Sequence, residues 1–252
     1  MDLAASTTQN IQHLSRDVPV VIPIAALEQH GEHLPLFTDT LLLTEICNRT
    51  RRVLSSQVLF APVLWLGNSD HHLDFPGTIS AASRTYLDML RDMTESFLRH
   101  GFRRIVLLNG HGGNSVPAQQ ALFELRQKHR DRSDLLLLLA NYWALGNDLP
   151  PYIPGLSQPK ILHACQWETS MMMALHPDLV AAHQHLPPVD PGNPFLPAVR
   201  SSVTQDVTSS GYLGCPAEAT SEIGVQLLDR FTNDVINLLR RVITWNGSSW
   251  SG

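Results

Sequence analysis

The stretch Val20-Val21-Ile22-Pro23-Ile24 is a short apolar run, and after three further residues the chain continues as Glu28-Gln29-His30-Gly31-Glu32-His33-Leu34-Pro35-Leu36-Phe37-Thr38-Asp39. An apolar run without alternation is typical of a strand that is buried on both faces of a parallel sheet. The dozen residues of the second stretch hold two histidines and three carboxylates. Side chains of these types bind divalent transition metals through nitrogen and oxygen. The sequence therefore predicts a metal site at the carboxyl end of a strand.

Similar apolar runs alternate with helical patterns along the rest of the chain. Strands are predicted over residues 20–26, 58–65, 104–108 and 135–143, and helices over 39–54, 83–100, 116–129, 163–176 and 219–242. The alternation predicts a three-layer α/β/α fold, in which helices cover both faces of a mostly parallel central sheet. Pro23 argues against a central position for the first strand, because proline cannot donate a hydrogen bond to a strand ladder.

No repeat and no shift in composition divides the chain, so residues 1–252 are expected to form a single domain. Residues 1–17 and 246–252 are expected to be peripheral to it. The segments 146–158 and 186–196 are rich in proline or glycine and are predicted to be irregular loops.

The composition disfavours several classes of protein. The formal net charge is −5, with 43% hydrophobic and 16% charged residues, and no basic run is present, so nucleic acid is not expected as a partner. The longest apolar run, 135–140, is too short to cross a bilayer, and the N-terminus lacks the pattern of a signal peptide. We therefore expect a cytoplasmic protein without a membrane segment. The three cysteines are widely and irregularly spaced and are expected to be reduced.

Three residues of the opening stretch can meet in one pocket. Alternate residues of an extended segment share a side, so Glu28 and His30 can point in the same direction. Asp39, at the start of the following helix, can turn back toward them, and its carboxylate is then placed to bridge two cations. The alternative is a polar loop before a helix whose N-cap is Thr38 or Asp39. This stretch alone leaves both interpretations open.

His111 lies in the turn Asn109-Gly110-His111-Gly112-Gly113-Asn114, between a predicted strand and a predicted helix. Turns of this kind present ligands to the crevice beyond the carboxyl edge of an α/β sheet. Glycine-rich turns can also hold phosphate with their amides. The turn matches neither the P-loop nor the dinucleotide-binding pattern, so phosphate binding is disfavoured.

Glu168, His71 and His72 are ambiguous when each is taken singly. Glu168 is a candidate metal ligand, or an acidic residue that favours the N-terminal end of a helix dipole. His71 and His72 are adjacent, so one of them could face solvent while the other orients a ligand or the substrate.

Several motifs occur together in a fixed order. They are Glu28-Gln29-His30-Gly31-x-His33-Leu34-Pro35-x-x-Thr38-Asp39, Phe75-Pro76-Gly77-Thr78, Asn109-Gly110-His111-Gly112-Gly113-Asn114, His163-Ala164-x-x-x-Glu168-Thr169-Ser170, and Gly211-x-x-Gly214 with Ala219-Thr220 and Gly224. Together they resemble the creatininase (creatinine amidohydrolase) family over roughly residues 20–225. Their joint occurrence is specific, although each motif alone is weak.

The resemblance implies a creatininase-like fold and a dinuclear metal centre that hydrolyses a C–N bond in a small linear or cyclic amide or a peptide. Two divalent metal ions are implied, with zinc first and manganese or iron as alternatives. Carried over by position, Glu28, Asp39 and His111 hold one ion. His30, the bridging Asp39 and a further glutamate hold the other.

The identity of that further glutamate marks a departure from the enzyme that names the family. That enzyme carries Tyr-Glu at the positions of Gly112 and Gly113, and its glutamate binds metal. Family members with Gly-Gly-Asn complete the site from the later motif, which makes Glu168 the implied ligand here. Such members include formamide-type deformylases, a peptidase of mycofactocin maturation and a hydrolase of inositol-derived keto sugars. Creatinine itself is therefore a doubtful substrate.

The implied mechanism is metal-assisted hydrolysis, in which the cations activate a water and polarise the substrate carbonyl. A side chain must protonate the leaving nitrogen. His163 is the first candidate and His72 the second, and Glu168 is counted with them at the catalytic centre. Glu32 is expected to orient a ligand histidine or, like His33, to support the scaffold.

Other functions are weighed against this one. A lactone or keto-sugar hydrolase of the same family is one alternative, and a non-catalytic metal-binding regulatory module is another. A nucleotide-binding oxidoreductase is disfavoured because no GxGxxG turn follows a strand. The resemblance also implies a homo-oligomer, for which a hexamer is expected. Trp143 and Trp167 are predicted to form an interface or a wall of the substrate site, with a core position for Trp167 equally open.

Overall fold

A computed structural model describes residues 1–146, 149, 152–190 and 192–248 of the chain. One sheet contains the strands β1 (Val20–Ile24), β2 (Leu59–Phe60), β3 (Arg104–Asn109) and β4 (Leu136–Asn141). The helices are α1 (Thr8–Gln12), α2 (Thr38–Val53), α3 (Ser83–Arg99), α4 (Ser115–Lys128), α5 (Gln166–Leu175) and α6 (Ser221–Thr244). The helices predicted from the sequence are therefore present, with ends shifted by a few residues.

The strand order is β2-β1-β3-β4, and each neighbouring pair is parallel. β1 lies between β2 and β3, so the expectation drawn from Pro23 is wrong. β2 pairs only with Val20 and Val21, which leaves the level of Pro23 without a ladder partner in β2. On the side of β1 that faces β2, Pro23 only has to accept a hydrogen bond. The amide of Leu64 donates to its carbonyl oxygen at 2.9 Å. The predicted strand 58–65 is correspondingly short: after the amides of Leu59 and Ala61 donate to the residue before β1 and to β1 itself, the next amide that donates to β1 is that of Leu64, which breaks the regular alternation of the ladder.

Helices cover both faces of the sheet. On one face, α2, α5 and α6 pack over Val21 and Val106, and on the other α3 and α4 pack over Ile22 and Leu107. Consecutive residues of β1 and β3 alternate between the two cores, which explains why both strands are uninterrupted apolar runs. The three-layer α/β prediction is confirmed.

The loops and ends of the chain are only partly described. Of the predicted irregular segments 146–158 and 186–196 and the predicted peripheral tail 246–252, residues 147–148, 150–151, 191 and 249–252 lie outside the described residues. Within the described part, no helix is long and apolar enough to span a membrane.

Candidate metal centre

The carboxyl ends of the strands open into a cavity of about 400 Å³. Glu28 follows β1, His111 follows β3 and Trp143 follows β4, while Asp39 and Glu168 lie in the first turns of α2 and α5. Parallel strands place these loops at one edge of the sheet, where α/β proteins bind ligands. Residues that are far apart in the sequence therefore share one cavity.

Glu28, Asp39 and His111 form the first group that could hold a metal. His111 Nδ1 lies 3.2 Å from Glu28 Oε1 and 3.1 Å from Asp39 Oδ2, and all three side chains are buried. The other ring nitrogen, Nε2, lies 3.1 Å from the carbonyl oxygen of Asn68. A proton on Nε2 would be donated to that carbonyl and leave Nδ1 free to bind a cation, an arrangement that is usual for metal-binding histidines.

His30 and Glu168 lie on the other side of Asp39. His30 Nε2 is 3.2 Å from Asp39 Oδ1, so the two oxygens of Asp39 face the two histidines His30 and His111. His30, His163 and Glu168 also form a group with ligand atoms within 4.8 Å of one another. The geometry thus places both His163 and Asp39 beside His30, and His163 also beside Glu168.

Below, the cluster means Glu28, His30, Asp39, His111 and Glu168. Four of its buried carboxylate oxygens accept no hydrogen bond from the described residues. They are Glu28 Oε1, Glu28 Oε2, Asp39 Oδ2 and Glu168 Oε2. A buried carboxylate is costly unless it is paired or binds a metal. The donor set of carboxylates and imidazoles is the one that zinc, manganese and iron accept. The residues present therefore fit a divalent cation centre.

The hydrogen bonds of Gln29 fix the orientation of two further histidines. The Nε2 group of Gln29 lies 2.7 Å from His72 Nδ1 and 2.9 Å from the Gly211 carbonyl, which takes up its two protons. His163 Nε2 lies 2.8 Å from the backbone carbonyl oxygen of Gln29 and donates to it. These partners assign the proton of His163 to Nε2 and that of His72 to the nitrogen that faces Glu28. His163 consequently presents an unprotonated Nδ1 to the cluster, 3.6 Å from Glu28 Oε1.

The charges of the cluster balance one another. Burial alone would raise the pKa of Glu28, but the surrounding histidines, with His111 the largest contributor, together outweigh it and hold that pKa well below its ordinary value. Burial opposes a charge on His111, yet the Glu28 carboxylate beside it raises the pKa of His111 well above the ordinary value. In His30, attraction to Asp39 overcomes burial and raises the pKa to about 9. Cations that bind here must therefore displace protons from His30 and His111.

Three other groups of the cavity, His163, His72 and Glu168, are driven toward their neutral forms. Burial, together with repulsion from His30 and His72, lowers the pKa of His163 well below its ordinary value. Burial also lowers the pKa of His72 to about 3 and raises that of Glu168 to about 7. His163 and His72 are hence neutral imidazoles near pH 7.

Backbone geometry supports the position of His163 and His111. Ala164, directly after His163, has a φ of 49°, a left-handed value that is uncommon for a residue with a side chain. Strain of this kind concentrates at functional sites. At the other histidine, the Asn109 side chain closes the turn, since its Oδ1 accepts from the His111 amide at 3.1 Å and its Nδ2 donates to the His111 carbonyl at 2.7 Å.

The contacts correct one expectation, for Glu32, and decide between two interpretations of Trp167. Glu32 is 63% exposed and faces His185, so it orients none of the clustered histidines. Trp167 is buried, stacks on Phe231 and donates to the Gln158 carbonyl at 3.0 Å, so it belongs to the core. Trp143 does reach the cavity wall.

The other expectations about this region fit the contacts. His72 is buried against Glu28, while His71 lies half-buried at the cavity edge and stacks on His111. His33 supports the scaffold, with Nε2 2.9 Å from Thr169 Oγ1 on α5.

Two polar residues of the site were missed in the sequence. Gln29 lies inside the first motif but carries no chemistry of its own, so only its contacts reveal that it orients His72 and His163. Thr204 belongs to an irregular segment, and its buried Oγ1 lies 3.0 Å from His72 Nδ1. No sequence pattern predicts the contact of Thr204 with His72, because the two residues are 132 positions apart.

A family model described as Creatininase, creatinine amidohydrolase, matches residues 4–239. The chain belongs to the creatininase family. Creatinine amidohydrolase of Pseudomonas putida is 33% identical over 223 residues, which cover 78% of this chain and 84% of that protein. The mycofactocin precursor peptide peptidase of Mycobacterium tuberculosis is 30% identical and covers 97% of this chain and 91% of its own length.

Solved creatininase structures share the fold. The crystal structure of creatinine amidohydrolase (creatininase) has a TM-score of 0.80 at 27% identity and covers 97% of this chain and 98% of its own. A mutant creatininase of the Zn-Zn type has a TM-score of 0.78 at 29% identity, with 97% and 98% covered. The structure named creatininase Mn has a TM-score of 0.78 at 28% identity, with 97% and 99% covered.

The thiols are expected to differ in reactivity. Burial raises the pKa of both Cys47 and Cys165 to about 12, so only about one thiol in ten thousand is ionised at pH 8. Cys215 is half-buried, and its pKa is raised less. With an aromatic disulfide reagent at pH 8, we expect one slowly reacting thiol in the folded protein and three after denaturation. Cys215→Ser should abolish the folded-state reaction, and rapid labelling of Cys165 would contradict its burial beside the cavity.

Proposed function

We propose that this chain is a dinuclear metal-dependent hydrolase of the Gly-Gly-Asn type within the creatininase family, and that it cleaves a C–N bond in a small amide, a cyclic amide or a peptide. The observation that carries the proposal is a set of buried carboxylate oxygens that accept no hydrogen bond from the described residues and that lie about one ligand-to-ligand distance from imidazole nitrogens at the carboxyl edge of the sheet. The relatives named as an amidohydrolase and a peptidase support the same class of reaction.

In this proposal Glu28, Asp39 and His111 hold one divalent cation, and His30, Asp39 and Glu168 hold the other. Asp39 would be shared by both cations, since its two oxygens face His111 and His30. Zinc is the first choice, with manganese or iron as alternatives. Cations held in this way lower the pKa of water and polarise a carbonyl.

His163 handles the proton of the reaction. Its Nδ1 faces the cluster and its Nε2 donates to the Gln29 carbonyl, so the ring is held with one free basic nitrogen. Nδ1 can accept a proton from the attacking water and transfer it to the leaving nitrogen. His72 is less suited to this step, because Gln29 and Thr204 occupy its Nδ1 and its other nitrogen faces Glu28. We assign His72 to the positioning of Glu28.

Metal analysis combined with a substrate screen tests the proposal. The protein loaded with manganese or zinc should hydrolyse at least one member of a panel of cyclic amides including creatinine, formamides, small peptides and lactones. A chelator should abolish the turnover, and added metal should restore it. Full turnover by metal-free protein would contradict metal dependence. A metal-loaded protein that turns over none of these compounds would favour a non-catalytic binding module, and a response to lactones alone would favour the other hydrolase class.

The organisation of the protein is also proposed. Both hydrophobic cores pack against the same sheet, which supports a single domain over residues 1–252. Large apolar side chains such as Phe123, at 57% exposure, support a homo-oligomer, for which we propose a hexamer. Three free cysteines support a reducing, cytoplasmic location.

A further inference from the structure

A second cavity, of about 380 Å³, adjoins the one that contains the metal-binding cluster. The two cavities share three lining residues, namely Ser202, Val207 and Leu213. The two cavities are therefore neighbours, and a molecule that reaches past this shared wall would contact both. The catalytic cavity alone does not define the length of the substrate.

The lining of the second cavity is largely apolar. Leu196 and Val199 line it beside Val207 and Leu213, and they are 75% and 93% exposed. Exposed apolar side chains that adjoin a binding site are typical of surfaces that a ligand covers. Arg200 lies on the same cavity, and no ion pair joins it to a carboxylate within the part of the chain that the structure describes. The second cavity thus combines apolar contact with one available positive charge.

Hydrogen bonds join the shared wall to His72 and to His163, the histidine proposed to transfer the proton. Thr204, between Ser202 and Val207, places its hydroxyl 3.0 Å from His72 Nδ1. The amide of Leu213 donates to the carbonyl of His163 at 2.8 Å. These two contacts fix the wall relative to the reacting centre, so the second cavity lies at a set distance from the bond to be cleaved.

We propose that the second cavity binds an apolar side chain and a free carboxylate next to the scissile bond, which makes N-acylated apolar amino acids the substrate class. This inference rests on the proposed hydrolase function. The acyl carbonyl would lie at the cluster, the branched side chain would contact Leu196 and Val199, and the carboxylate would meet Arg200. A compact amide would leave the second cavity unfilled.

Three formamides separate these contacts. N-formylleucine has both groups, N-formylglycine lacks the side chain, and N-(3-methylbutyl)formamide lacks the carboxylate. With the manganese-loaded protein we expect kcat/KM for N-formylleucine to exceed that for N-formylglycine by about 10- to 100-fold, the range that burial of a few methyl and methylene groups supports. Equal values for the two compounds would overturn the proposal.

Variants that are confined to the second cavity provide the matched test. Val199→Asp should abolish the preference for leucine, whereas Val116→Asp, an exposed valine on α4 that lines neither cavity, should retain it. Arg200→Gln should lower kcat/KM for N-formylleucine and leave kcat/KM for N-(3-methylbutyl)formamide unchanged. A preference for leucine that survives Val199→Asp would overturn the proposal. A change in oligomer size without a change in preference would also overturn it, because the exposed side chains of the second cavity would then form an interface between copies of the chain.

Calorimetric binding separates this inference from the proposed function. If none of the three compounds is hydrolysed, the hydrolase proposal loses support on these probes, but their affinities still decide the role of the second cavity. Tighter binding of N-formylleucine than of N-formylglycine, lost in Val199→Asp and kept in Val116→Asp, supports the proposal. Equal affinities contradict it.

Discussion

Asp39→Asn is expected to lower metal content and to reduce turnover by more than about 100-fold, because loss of an outer hydrogen-bond partner of a metal ligand already costs about 10- to 100-fold. The carboxylate is placed between both histidines, with Oδ1 3.2 Å from His30 Nε2 and Oδ2 3.1 Å from His111 Nδ1. Asparagine keeps the shape of the side chain but removes the negative charge, and its amide nitrogen is not a metal ligand. Both cations should therefore be affected by one substitution.

The measurement is the metal-to-protein ratio after dialysis, together with kcat/KM on the substrate found in the screen. Asp229→Asn is the matched control, since Asp229 is an exposed aspartate paired with Arg49 at 2.7 Å on the surface. Exposed pairs contribute about 0–1 kcal/mol, so this control should keep metal, activity and fold. Circular dichroism should show that both variants are folded. If Asp39→Asn retains two metal ions per chain, the bridging assignment is wrong.

Most of the candidate site can be predicted from the sequence, because most of its residues lie in short segments next to a predicted strand or helix. Glu28, His30 and Asp39 lie within one strand-loop-helix unit, and His111 directly follows a strand, so alternation and motif order suffice to locate them. The carboxyl edge of a parallel sheet then brings them together without any knowledge of distances. Glu168 is less certain from its local pattern, since an acidic residue in the first turn of a helix has an ordinary structural role.

The parts that sequence reasoning misses depend on long-range contacts. Pro23 lies in an inner strand because β2 ends before its level, which is a property of the neighbouring strand. Thr204 reaches His72 from an irregular segment, and no periodicity predicts the course of such a segment. For Trp167 the sequence leaves a core position and a position in the substrate wall equally open; the contact with Phe231 decides for the core, because adjacent residues of a helix face different directions.

Gly113→Ala is expected to weaken metal binding and to lower turnover by about 10- to 100-fold, whereas Gly112→Ala should change neither. A Cβ at position 113 would lie 2.2 Å from the carbonyl oxygen of Asn68 and 2.5 Å from His111 Nε2. These are the two atoms whose contact, at 3.1 Å, holds the His111 ring with Nδ1 toward Glu28 and Asp39. A Cβ at position 112 meets nothing within 4 Å, so the neighbouring glycine is a matched control.

The same clash bears on which glutamate would complete the proposed second metal site. Since even a methyl group at position 113 collides with backbone, a longer side chain cannot be accommodated there without movement of the turn. The carboxylate that remains available beside His30 is Glu168, whose Oε2 accepts no hydrogen bond from the described residues. The clash at Gly113 therefore agrees with the proposal that α5 supplies this carboxylate through Glu168, while the turn holds His111.

Thermal unfolding distinguishes a local effect from a general loss of stability. Overpacking by one methyl group typically costs about 1–3 kcal/mol, so Gly113→Ala should remain folded at 25 °C with a lowered Tm. Its metal affinity, measured by competition with a chromogenic chelator, should fall further than that of Gly112→Ala. If Gly113→Ala binds metal as tightly as the original protein, then His111 is not held by the Asn68 carbonyl in the way the turn implies, and its assignment as a ligand loses its structural support.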